Sequence, residues 1–211
     1  EGALLLEDAP NPPLLTMRPP RVAYQPEGSN WDVSVAVRSE YPVSYEWFRD
    51  GSKLEGFESG RLSLENLQAA DAGIYSLVAS NQDGDARARV RLQVLEADVG
   101  LAEAADAPVL DFYSYGDAEW ERYAFDSVEG SDCIRSGEIG DSGKTAVFAE
   151  VMGPAQLSFS WRLSSERFWD YGSFSLDGEA VARLRNSDDW AQRSVSLPEA
   201  RRYRLQWEYQ K

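Results

Sequence analysis

Apolar side chains recur at every second position in many segments of this chain. Val33, Val35 and Val37 alternate along one stretch, and Val90, Leu92 and Val94 along another. Further on, Leu157, Phe159 and Trp161 share a face, as do Phe174 with Leu176 and Val195 with Leu197. The clearest case is Tyr203, Leu205, Trp207 and Tyr209, set between Arg202, Arg204, Gln206, Glu208 and Gln210. A strand points successive side chains to opposite faces, so a period of two predicts half-buried strands. Turn sequences punctuate them: Asp50-Gly51 after Tyr45–Arg49, Asn81-Gln82-Asp83-Gly84, and Asp177-Gly178. Asp-Gly and Asn-rich turns supply the positive φ angles that tight hairpins need. The expected fold is all-β, built as two consecutive β-sandwiches.

Composition shifts divide the chain into four parts. Residues 1–19 are Pro-rich around a short apolar run, Ala3-Leu4-Leu5-Leu6, and read as an extended segment. Residues 20–96 and 108–211 are the two β units. Between them, residues 97–107 are Ala-rich and acidic, which suits a linker or a single helical turn.

The stretch Asp71-Ala72-Gly73-Ile74-Tyr75-Ser76-Leu77 has the form Asp-x-Gly-x-Tyr-x-Cys, with Leu77 where the cysteine belongs. Trp47, Leu62-x-Leu64, this motif and Ala79-x-Asn81 follow one another in the order of an I-set-type immunoglobulin domain, which about 75 residues resemble. The resemblance implies a hydrogen bond from the Tyr75 hydroxyl across a strand corner. It implies that Val35 (or Val37) and Leu77 replace the inter-sheet disulfide, with Trp47 packed on that aliphatic pair. Losing a native disulfide costs ~2–5 kcal/mol, while burying Val and Leu returns ~1.5–3 kcal/mol each.

In the second unit, Gly153-Pro154-x-x-Leu157-Ser158-Phe159-x-Trp161, Ser164-Ser165-Glu166, Asp170, Phe174-x-x-Asp177-Gly178, Trp190 and Leu205-x-Trp207-x-Tyr209-x-Lys211 resemble a bacterial jelly-roll module similar to MAM and cleaved-adhesin domains. That family serves adhesion and surface architecture and has no common reaction. The resemblance implies a secreted or cell-surface bacterial protein. The family pattern goes on to one more strand of the type Asp-Ala-Ala-Trp-Leu-Asp-Asp-Val, often followed by proline. Gly2-Ala3-Leu4-Leu5-Leu6-Glu7-Asp8-Ala9-Pro10 is similar to it. The expectation is a donor strand carried by Ala3, Leu4, Leu5, Leu6 and Ala9, completing its own jelly roll or a neighbour's. The acceptor edge would be the strand of Tyr203, Leu205, Trp207 and Tyr209, and the expected partners are other copies or neighbouring domains of the same protein. The alternative is that the apolar run is simply the first immunoglobulin strand.

Charge and residue inventory narrow the chemistry. With 21 basic and 36 acidic residues the formal net charge is -15, so phosphate-rich partners are repelled and nucleic acid is not an expected ligand. Apolar runs are too short for membrane insertion. Histidine is absent and Cys133 is the single cysteine, which removes Ser-His and Cys-His pairs, His-based metal sites and any disulfide within the chain. An enzyme is not expected. Gly140-Asp141-Ser142-Gly143-Lys144-Thr145 ends like a phosphate-binding loop, but its first glycine is out of place and a strand pattern follows it. Cys133 reads as a small buried hydrophobe.

Two ligand classes stay open. Trp120, Trp169 and Trp190 lie in less regular stretches and could stack on a glycan, which makes a carbohydrate-binding module the second functional reading. No cofactor is expected except, at most, calcium. The acidic groups weighed are Asp117 with Glu119 and Glu121, Asp83 with Asp85, and Glu166 with Asp170. The last pair is the first place to look for a metal, although none has EF-hand spacing.

Overall fold

The computed structural model describes residues 10–128, 130–165 and 169–211. The donor positions Ala3, Leu4, Leu5, Leu6 and Ala9, together with Glu166, lie outside the described residues. The chain divides into two compact units, Glu1–Leu95 and Glu96–Lys211.

The first unit is a sandwich. Its larger sheet has the order β2 (Val22–Pro26), β9 (Gly84–Leu95), β8 (Gly73–Asn81), β5 (Ser44–Arg49) and β6 (Ser52–Leu54), with β2 parallel to β9 and the rest antiparallel. Opposite lie two short ladders, β1 (Leu14–Met17) with β4 (Ala36–Arg38), and β3 (Trp31–Ser34) with β7 (Arg61–Leu64). The core between the layers holds Trp31, Val33, Val35, Trp47, Leu62, Leu67, Tyr75, Leu77, Val90 and Leu92. Asp50 and Gly51, at φ 48° and 85°, form the two-residue turn between β5 and β6.

Two boundaries move relative to the sequence expectation. Among the described residues Leu14–Met17 is the first strand, and its pairing with β4 places it in this sandwich and not in a separate N-terminal segment. Asn11 is already tied to the unit: its N–H donates to the Asp83 carboxylate at 3.0 Å, and its carbonyl accepts from Asn81 Nδ2 at 2.9 Å. Of the two readings of residues 97–107, linker or single helical turn, the structure has the turn. Residues Val99–Ala104 form α1, capped by Asp98, whose carboxylate accepts from the N–H groups of Gly100 and Leu101. Leu101 and Ala102 are buried in the core of the second unit.

The second unit is also a sandwich. Its complete layer is a five-stranded antiparallel sheet in the order β10 (Phe112–Gly116), β13 (Lys144–Met152), β18 (Arg202–Gln210), β15 (Tyr171–Leu176) and β16 (Glu179–Leu184). The facing layer is made of two separate ladders, β11 (Trp120–Tyr123) with β12 (Cys133–Ser136), and β14 (Ala155–Leu163) with β17 (Ser187–Leu197). The strand of Tyr203, Leu205, Trp207 and Tyr209 is therefore not an edge. It is the middle of the sheet, with its backbone paired to β13 on one side and β15 on the other, so it has no free backbone ladder to accept a strand. Its side chains alone are available as a floor.

Candidate functional site

Four immunoglobulin core positions come together as one cluster. Trp47 and Leu77 are directly opposite across the β5–β8 ladder, and both are buried with Val35 and Tyr75. Between the two candidates for the strand position that faces Leu77 in place of a disulfide, Val35 is the buried one; Val37 is only half-buried on β4. The simple alternation of Val33, Val35 and Val37 is broken at Val35. There the chain leaves β3, and the Val35 N–H donates to the Gly60 carbonyl at 2.8 Å. The Tyr75 hydroxyl donates to the Asp71 carbonyl at 2.8 Å, closing the corner, and its ring meets Trp31 edge-on at 5.2 Å between centroids. Burial raises the Tyr75 phenol pKa, so the hydroxyl keeps its proton as a donor. Trp47 Nε1 donates to the Ser59 carbonyl at 2.9 Å, which satisfies the polar end of a buried indole.

In the second unit the informative region is the incomplete layer. Trp120 and Ile134 of the β11–β12 ladder pack on the cluster of Phe112, Val147 and Ala149, on which Trp207 also packs. Leu157, Phe159, Trp161, Val195 and Leu197 of the β14–β17 ladder pack against Phe174, Tyr203, Leu205 and also Trp207. Both ladders thus cover the same face of the five-stranded sheet; Trp207 packs on both clusters, the ladders do not pair as strands, and Arg162 of β14 ion-pairs with Asp126 just after β11. Trp207 is ringed by Phe174 at 5.1 Å, Phe159 at 5.2 Å and Phe112 at 6.3 Å.

Burial along β18 records where the cover fails. Tyr203 and Leu205 are fully buried, whereas Trp207 and Tyr209 on the same face are only half-buried. An open groove of about 470 Å³ lies here, lined by Arg135, Ser136 and Gly137 from the end of β12, by Ser164 just after β14, and by Tyr209 and Lys211. The indole N–H groups of Trp120 and Trp161, one in each ladder, are buried without a hydrogen-bond partner among the described residues. Sequence alternation located the strands but could not show this groove, because it depends on which strands fail to pair.

The tryptophans expected as a glycan platform are not equivalent. Trp120 is packed into the core cluster with Phe112 and Val147. Trp169 is 79% exposed. Trp190 is half-buried on β17 under the Arg162 guanidinium, which lies 5.3 Å from its ring centre. No ring contact joins the three among the described residues.

Most of the described acidic candidates are engaged within the protein. Asp170 is 2% exposed and accepts from the Tyr209 hydroxyl at 2.9 Å. Asp117 accepts from the Lys144 N–H, and Glu121 pairs with Arg135 at 2.6 Å. Among the described residues no group of three or more Asp, Glu, His or Cys is gathered to hold a metal ion. The Gly140–Thr145 loop is a strand entry: Gly143 N–H donates to Gly140, and Lys144 Nζ pairs with Glu208 at 2.7 Å. Cys133 is half-buried on β12. Burial, with Asp126 nearby, pushes its thiol pKa up, so it is a poor nucleophile at neutral pH. No helix among the described residues is long and apolar enough to cross a membrane.

The layering of the first unit, its parallel β2–β9 pair, and the Tyr75 corner over a Trp47–Leu77 core match one known family. Residues 15–94 match the family model of the immunoglobulin I-set domain. Solved structures similar to this part of the chain include titin domain M4 (25% identity, TM-score 0.37, covering 41% of this chain and 99% of that one). The complex of titin M10 with an obscurin-like 1 immunoglobulin domain matches at 28% identity and TM-score 0.38, covering 42% and 98%. The tandem immunoglobulin repeats of Dlar match at 21% identity and TM-score 0.37, covering 40% and 48%. The I-set domain here is a version held by apolar contacts alone at the disulfide position, with Val35 and Leu77 in its core.

Proposed function

We propose that this chain is a non-enzymatic structural or adhesive module of a secreted bacterial surface protein. Its partners are proteins, chiefly copies or neighbouring domains of its own kind, and modules are joined by donating the N-terminal strand to a neighbouring jelly roll. The observation that supports this reading is the divided layer of the second unit. Two ladders over one apolar face each leave a strand edge unpaired among the described residues, and Trp207 and Tyr209 on that face are only half-buried. Unpaired edges over exposed apolar surface are the usual seat of strand addition. Donation from one copy to the next is head-to-tail, does not close, and builds a filament. Sedimentation velocity over a wide concentration range tests it: the sedimentation coefficient rises with concentration. A single monomer boundary at all concentrations would remove the assembly reading.

One observation favours a second reading, that of a carbohydrate-binding module. Trp169 presents a large apolar ring to solvent, and exposed indoles stack on sugar faces. Titration with oligosaccharides quenches tryptophan fluorescence if this holds, and Trp169→Ala abolishes the quench.

A further inference from the structure

We propose that the outer face of the five-stranded sheet in the first unit docks an extended acidic segment of another protein, laid along β9 over Arg87, Arg89 and Arg91. This rests on the reading that the module's partners are proteins, and adds a surface that strand donation does not use.

The face follows from the strand registers. Ala88, Val90 and Leu92 of β9 belong to the core, so Arg87, Arg89 and Arg91 point away from it, and all three are exposed. On β8 they stand opposite Val78, Ser76 and Ile74, and on β2 Arg91 stands opposite Val22. Arg87 pairs with Asp85 of its own strand at 2.7 Å, while among the described residues no carboxylate pairs with Arg89 or Arg91. Glu46, across from Val78 on β5, is engaged by Lys53 at 2.8 Å. The whole chain has 36 acidic and 21 basic residues, yet β9 carries three arginines and one aspartate. This strand is a basic row on an acidic protein.

Like charges in a row repel one another, and incoming carboxylates relieve that repulsion. A guanidinium also matches a carboxylate in shape, with two parallel hydrogen bonds. Alternate residues of a strand are about 6.8 Å apart, and so are alternate residues of any extended polypeptide. Carboxylates at every second residue of a bound segment therefore meet the three arginines in register. The neighbours of the row select a polypeptide over a sulfated polysaccharide. Ile74 is 37% exposed, and Val22, Phe48 and Val78 are half-buried. Aliphatic side chains cover such surface, whereas sulfate and hydroxyl groups do not. A second copy does not supply the segment. Its longest stretch without a basic residue, 92–121, carries eight acidic residues, but α1 and the turns after it hold residues 98–111 in a compact form. Asp117 and Glu121 of the same stretch are engaged by Lys144 and Arg135.

The test uses the full chain and two labelled synthetic peptides of equal length and charge. One alternates glutamate and threonine; the other has the same residues as alternating pairs of glutamate and pairs of threonine. Fluorescence anisotropy is read at an ionic strength of about 0.15 M, where charges beyond roughly 8 Å are screened. The alternating peptide is expected to bind about tenfold more tightly than the paired one, and Arg89→Glu to weaken it by about tenfold or more. Arg38→Glu, the same charge change on the opposite layer, leaves binding within about twofold. Calorimetry of the first unit checks that each variant is folded, and Arg89→Gln is the milder second variant. Equal binding to the Arg89→Glu and Arg38→Glu chains overturns the surface. Equal binding of the two peptides overturns the extended, in-register segment. A heparin-type polysaccharide that binds the parent and not Arg89→Glu, with neither peptide bound, overturns the polypeptide assignment. Self-association of the parent that Arg89→Glu abolishes makes the occupant a second copy and overturns the assignment to another protein. Self-association that Arg89→Glu leaves unchanged, with neither peptide bound, overturns this surface while the assembly reading stands.

Discussion

Leu77 lies directly across the β5–β8 ladder from Trp47, and each side chain is about 1% exposed. In the usual I-set pattern that position is a cysteine bonded to the other sheet, and the tryptophan packs on the bridge. Here apolar volume stands in that place, so the first unit relies on close packing at this position. Leu77→Ala is expected to destabilise the I-set domain by ~2–5 kcal/mol, read from the urea unfolding midpoint. The double variant Val35→Cys with Leu77→Cys is expected to oxidise and raise the midpoint, with the gain lost on adding reductant. A midpoint insensitive to reductant would show that Val35 is not the position facing Leu77.

The backbone of the same domain makes a second demand. A Cβ built on Gly60 would stand 2.4 Å from the Val35 carbonyl oxygen, which is backbone and cannot swing aside. This close approach is where Val35 N–H reaches the Gly60 carbonyl and the run from β3 to β4 is interrupted. Gly60→Ala is expected to cost about 1–3 kcal/mol, as overpacking does, with the loss confined to the I-set transition in calorimetry. An unchanged melting temperature would show that the two segments separate easily.

Residues 97–107 carry a different lesson. Their composition fits a linker, yet Leu101 and Ala102 are core residues of the second unit. Asp98→Ala removes the side-chain acceptor for the Gly100 and Leu101 N–H groups and is expected to lower the stability of the second unit by ~0.5–2 kcal/mol. If only an inert tether were present, denaturation of that unit would not respond.

Strands and tight turns were legible because each is written locally. Alternation in Leu205-x-Trp207 and the Asp-Gly pairs at 50–51 and 177–178 needs no knowledge of distant residues. The Asp71–Leu77 motif was legible for the same reason, since Tyr75 reaches back only to Asp71. Strand order was not. Nothing within Tyr203–Tyr209 says that β13 and β15 flank it on both sides, because those partners lie tens of residues away in the chain. The half-exposure of Trp207 and Tyr209 was hidden likewise. It depends on how two ladders that do not pair as strands cover the sheet, and an alternating pattern looks the same beneath a continuous layer and a divided one. Tryptophan roles divided by context too: Trp120 and Trp169 both sit outside clean alternation, yet one is core and the other is solvent-facing.

The hairpin between β15 and β16 gives the last prediction, on pH. Asp177 and Gly178 occupy the turn at φ 52° and 85°. Asp177 Oδ1 accepts from the Arg204 N–H at 2.8 Å, and Oδ2 pairs with Arg201 at 2.7 Å. Partial burial works to raise the Asp177 pKa, but the Arg204 backbone hydrogen bond and the Arg201 guanidinium outweigh it and hold the carboxyl below its usual value. A depressed carboxylate pKa means that the unfolded chain binds the proton more readily than the folded one. Its contribution is therefore complete above the unfolded value, about 3.9, and is lost as pH falls through the lower folded value. Asp177→Asn keeps an acceptor for Arg204 but removes the charge that Arg201 pairs with. The expected outcome is a modest loss of stability at neutral pH, on the order of 1 kcal/mol or less because the pair is partly solvated, and a shallower decline of the second unit's melting temperature below about pH 4. Parallel acid profiles for the parent and variant would show that Asp177 titrates alike in the folded and unfolded chains, and that its turn is held by backbone geometry alone.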